Sequence, residues 1–124
     1  SAKYKLAIQE HPTKGAKMVG KIKSLPPQVK VIVEQHHENF NGNGYPRGLK
    51  ANDIYDFAKV VSIANIYENT LQEEVDKVKA EKPTIAMHKK AVKVLEYDQG
   101  KQFDPDIVER IVEVLKIYLF PKDP

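Results

Sequence analysis

The 124-residue chain contains no cysteine. That excludes a disulfide framework, thiolate metal sites and thiol nucleophiles, and it fits a reducing compartment. Tryptophan is also absent, and Arg47 and Arg110 are the only arginines, so the basic character is nearly all lysine. A net charge of +3 is too small to argue for duplex nucleic-acid binding, although it suits a small anionic ligand. No apolar run approaches the ~20 residues of a membrane helix. Ser1 to Ile8 lacks the apolar stretch of a signal peptide. These absences predict a cytoplasmic domain, or part of a larger protein, with residues 1–124 forming one domain.

Apolar residues make up 41% of the chain, enough to bury a core, and their spacing is mostly helical. A first segment runs from about Lys3 to Ile22, with Pro12 expected to start a fresh helix. A second runs from about Pro27 to Glu38, with Val29, Ile32, Val33 and His36 at helical spacing. Residues 39–50 hold glycines, asparagines and a proline, which dictate a turn-rich loop. A third helix is expected from about Ile54 to Leu71, with Phe57, Val61 and Asn65 on its apolar face. Glu73 to Lys82 reads as a charged helix end or loop, and a fourth helix follows from about Thr84 to Leu95. The fifth starts at Asp104-Pro105-Asp106, a capping and dipole-matched entry, carries an apolar stripe from Ile107 through Tyr118 to Leu119, and is ended by Pro121. The fold class is therefore all-α, with five or six helices.

The chemistry concentrates in histidines and one loop. His36 and His37 stand together at a helix end, followed at once by Glu38. Neutral imidazole with carboxylate suits zinc, iron, manganese or nickel. His36 shares the face of Ile32 and Val29, whereas His37 is turned by about 100°. Taken alone, an inward histidine at a helix end is also a common hydrogen-bonded core residue. His11 and His88 read alone as surface groups. Asn65, on an apolar face, needs a partner for its amide. In the loop, Gly42, Gly44 and Gly48 permit close backbone approach, Tyr45 offers a stacking face and Arg47 a fork of donors for phosphate. The plain alternative is a surface loop with tight turns.

Together, His36-His37-Glu38 and Asn41-Gly42-Asn43-Gly44-Tyr45-Pro46-Arg47-Gly48-Leu49 resemble the signature of bacterial HD-GYP domains, roughly H-H-E-x-x-D-G-x-G-Y-P-x-G-L. His11-Pro12 with Gly15 is similar to that family's H-P-x-x-G step, and Gly100, Phe103, Asp104 and Pro105 are similar to its G-x-x-F-D-P entry to the last helix. The resemblance implies an HD-superfamily helical bundle. Active members are phosphodiesterases that hydrolyse cyclic di-GMP with divalent ions such as iron or manganese. By motif match, His11, His36 and His37 occupy metal-ligand positions. The same match puts Gly44, Tyr45, Pro46 and Arg47 in the nucleotide-facing loop, with Lys82 as a displaced phosphate contact.

Three departures point to a degenerate member. No His-Asp dipeptide occurs in the chain, Asn65 falls where the family has a metal-binding aspartate, and Asn41 replaces the loop's aspartate. The expected role is a regulatory module that keeps the scaffold and loop without a competent metal centre, so that the chain carries no metal cofactor, and that binds cyclic di-GMP or another signalling protein. The alternative is a working phosphodiesterase whose remaining ligands lie upstream, and a third reading is a helical interaction module. Absent upstream helices would leave an apolar strip exposed on the first and third segments, favouring a homodimer or a partner.

Overall fold

A computed structural model describes residues 1–119. The described residues form five α-helices and one short 3-10 helix. These are α1 (Ala2–Gly20), α2 (Pro27–Gln35), η1 (Ala51–Asp53), α3 (Asp56–Val78), α4 (Ile85–Asp98) and α5 (Pro105–Leu119). The all-α expectation holds. The chain divides into two compact units, Ser1–Ser62 and a second that begins at Ile63 within α3.

In the first unit α1 packs on α2. A Cβ on Gly15 would stand 3.0 Å from Val33 Cγ1, so glycine sets how closely the two helices approach. Pro12 does not start a new helix. It lies buried inside a continuous α1. A proline in a helix interior costs about 3 kcal/mol and removes the N–H that would bond the carbonyl four residues earlier. That carbonyl belongs to Ile8, and His11 Nδ1 donates to it instead. The helix continues through Pro12, and a side chain supplies a donor to the carbonyl that proline leaves without one.

Helix α2 ends at Gln35, three residues before the expected Glu38. Its terminal groups are used locally. Gln35 Oε1 accepts the Tyr55 N–H at 2.7 Å, and Ser62 Oγ donates to the His36 carbonyl. Tyr4, Leu6, Ile8, Met18 and Ile22 are exposed on or just after α1, as are Phe57, Val60 and Val61 on α3.

The second unit has its own core. Ile63, Tyr67 and Leu71 of α3 join Ala91, Val92 and Leu95 of α4, Phe103, and Val108 and Val112 of α5. Helix α3 runs on through the charged stretch to Val78, supported by pairs such as Gln72–Asp76 at 2.8 Å and the Glu74–Lys90 ion pair. Thr84 Oγ1 accepts the Met87 N–H at 3.3 Å and caps α4. Asp104 Oδ1 accepts the Asp106 N–H at 3.0 Å at the entry to α5.

Three expectations are corrected here. Asn65 is exposed, not buried: it lies two residues from both Ile63 and Tyr67, about 200° round the helix from each. His88 is half-buried, not fully exposed, because its Nδ1 lies 2.5 Å from the Tyr67 hydroxyl. Tyr118, assigned to the apolar stripe, is 80% exposed. Pro121, expected to end α5, lies outside the described residues. Among the described residues, no helix is long and apolar enough to cross a membrane.

Candidate metal centre and its loop

The first unit brings His11 of α1 together with His36 and His37 at the end of α2. One potential ligand atom from each lies within 4.8 Å of the others. His11 and His36 face each other through Nε2, 3.3 Å apart. Both rings are held from behind. His11 Nδ1 donates to the Ile8 carbonyl, and His36 Nδ1 donates to the Val33 carbonyl at 2.6 Å. A carbonyl only accepts, so each Nδ1 carries the proton and each Nε2 keeps its lone pair.

This donor set fits a metal ion. Two nitrogens each about 2.1 Å from a tetrahedral ion stand about 3.4 Å apart, close to the observed spacing. Fixing a ligating imidazole through its other nitrogen is the usual supporting arrangement. His37 completes the cluster, with its ring centroid 4.2 Å from that of His36 and 4.8 Å from that of His11. Burial, and then the neighbouring His36 and His11, push its pKa down to about 4, so this imidazole stays neutral at physiological pH. Metal binding requires that neutral form.

Glu38 stands apart from the three histidines. It is 3% exposed, and its carboxylate accepts the backbone N–H groups of Arg47 at 2.8 Å and Leu49 at 3.0 Å. It is a loop anchor, although its place beside the histidine pair suggests a ligand. The loop folds back on the helix end. Tyr45 N–H donates to the His37 carbonyl at 3.1 Å. A Cβ on Gly44 would lie 2.7 Å from Glu38 Cα and closer still to the His37 carbonyl oxygen and the Asn39 nitrogen, so only glycine fits. Asn41 Oδ1 accepts the Asn43 N–H at 3.0 Å, a turn bond that an amide makes as well as a carboxylate.

The Tyr45 ring stacks on His37, and Arg47 Nε pairs with Glu34 at 3.0 Å while the arginine side chain stays 65% exposed. Pro46 lies exposed between them. Sequence reasoning misses Glu34, whose one signal is its place four residues before Glu38. Asn65 and Lys82 belong to the second unit, where both are exposed.

A family model described as an HD domain matches residues 3–107. The chain belongs to the HD-domain family. A probable cyclic di-GMP phosphodiesterase of Vibrio cholerae is 30% identical over 105 residues, which cover 85% of this HD domain and 22% of that protein. Among solved structures, a cyclic GMP-AMP specific phosphodiesterase of V. cholerae superposes with a TM-score of 0.68 at 22% identity, over 94% of this chain and 26% of that one. An HDG"Y"P protein of Bdellovibrio bacteriovorus gives 0.60 at 28% identity, over 87% of this chain and 32% of that one. The HD domain therefore spans between about a fifth and a third of these relatives' lengths. It is related to HD-GYP cyclic di-GMP phosphodiesterases at low identity. HD domains are typically metal-dependent, and the histidine cluster described above is in keeping with that.

Proposed function

We propose that this HD domain is a module of cyclic di-GMP signalling. In this reading His11, His36 and His37 hold one divalent ion, iron, manganese or similar by their donor chemistry. Tyr45 and Arg47, on the loop through Gly44 and Pro46, receive the nucleotide through base stacking and a phosphate contact. The observation that carries the reading is the convergence of three imidazoles, two of them anchored through Nδ1, beside that loop. When bound, the ion would polarise a phosphoryl oxygen as a Lewis acid. The chain's own residues do the rest. His11 and His36 keep their lone pairs free, His37 stays unprotonated, Glu38 fixes the loop, and Glu34 holds Arg47 by one nitrogen and leaves its outer donors open.

A regulatory role in place of turnover is supported by Asn65, which stands where the HD-GYP pattern has a metal-binding aspartate. A neutral amide at that position brings no negative charge to hold a further dication. The partner is cyclic di-GMP itself or another signalling protein, with a homodimer as the assembly. The test is metal content, cyclic di-GMP binding by calorimetry and hydrolysis, all on the full-length protein. Binding without turnover is expected, and stoichiometric metal with turnover rejects the regulatory reading. The second reading is a phosphodiesterase that uses the same histidine cluster. It requires that His36→Ala abolish hydrolysis.

A further inference from the structure

Both anchored histidines bond a carbonyl three residues upstream, and each such carbonyl lies where the helical ladder is interrupted. At His36 the interruption is the end of α2, which stops at Gln35 and leaves late carbonyls without partners in the helix. At His11 there is no helix end, since α1 continues nine residues further to Gly20. Here the acceptor is Ile8, whose regular partner would be the N–H of residue 12. Residue 12 is proline and has none.

We infer that Pro12 is a positioning residue for the metal centre: by lacking an N–H it frees the Ile8 carbonyl to fix His11 as the Nδ1–H tautomer, with Nε2 turned toward His36. The inference rests on the metal reading proposed above for its use, but the tautomer itself does not depend on any ion. Pro12 touches no ligand in this account and acts through His11. Its buried ring gives it a packing role as well, so the test must read something packing alone does not move.

The measurement is the ring tautomer of His11 by long-range proton–nitrogen NMR on the metal-free chain at about pH 8, where unperturbed imidazoles are neutral. The wild type should carry the His11 proton on Nδ1. In Pro12→Ala the backbone N–H gained at position 12 competes for the Ile8 carbonyl, and His11 should move toward the Nε2–H form while His36 stays as it was. Titration with Co2+ should then show affinity lower by about 10-fold or more, the usual effect of removing a supporting hydrogen bond from a ligand. A wild-type His11 protonated on Nε2 overturns the inference without any variant. So does a His11 tautomer unchanged in Pro12→Ala. A shifted tautomer with Co2+ affinity within about twofold of wild type overturns the link to the metal. If the wild type binds no Co2+, the metal reading fails, and the tautomer measurement still decides the role of Pro12.

Discussion

The Tyr45 ring lies on the His37 ring, with centroids 5.1 Å apart and planes 20° from parallel. The same residue pair is joined through the backbone, where Tyr45 N–H donates to the His37 carbonyl. The loop that would meet a nucleotide and the helix end that would meet an ion are therefore one local structure, and changes on either side should be felt on the other.

Tyr45→Ala should loosen that coupling in a measurable way. The ring contributes to the burial of His37, whose pKa lies at about 4 against an ordinary 6.5. Without the ring, the His37 resonance of the metal-free protein should titrate at a higher pH, closer to the ordinary value. Cyclic di-GMP binding should weaken by about 10-fold, since stacking of a base on an aromatic ring is worth about 1–3 kcal/mol.

The same shift fixes a pH dependence for stability. Between about 6.5 and about 4 the unfolded chain binds a proton at His37 that the native chain refuses. Stability of the metal-free protein should fall as pH falls through that window, with no contribution from this group above it. Urea denaturation across that range checks the sign, and NMR titration of the ring checks the group.

Gly44→Ala should destabilise the first unit. The added carbon overlaps backbone atoms of residues 37 and 39, and neither can swing aside as a flexible side chain would. A loss of about 1–3 kcal/mol is expected by denaturant titration, together with loss of cyclic di-GMP binding.

Glu38→Gln keeps the shape of the side chain but offers one acceptor to two loop N–H groups. One of them is left facing a donor, at about 1–3 kcal/mol. Hydrogen exchange at Arg47 and Leu49 should accelerate, whereas Co2+ stoichiometry should not change. Loss of the ion in this variant would make Glu38 a ligand after all.

Leu95→Ala tests the second unit's core. Leu95 is fully buried among Ile63, Tyr67, Ala91 and Val108. Truncation should cost about 2–5 kcal/mol, read from urea or thermal unfolding.

Local signals made much of this legible beforehand. The cap at Asp104 and the glycines around Tyr45 mark their structures in any context, so α5 and the loop fall where the residues predict. Pro12 misleads because its ordinary meaning is a helix start, and only the imidazole beside it shows how the helix continues. Asn65 misleads because α3 has apolar residues on more than one face, and Phe57 and Val61 lie on the open one. His88 gave no sign of its hydroxyl partner, which is 21 residues distant in the chain. The convergence of His11 with His36 and His37 depends on α1 packing on α2, which no spacing within either helix encodes.

The central claim is that three imidazoles hold one ion, and Co2+ calorimetry on single variants tests it most directly. One ion per wild-type chain is predicted, lost or severely weakened in each of His11→Ala, His36→Ala and His37→Ala, and retained in His88→Ala. Undiminished binding in any of the first three, or loss confined to His88→Ala, would contradict the account.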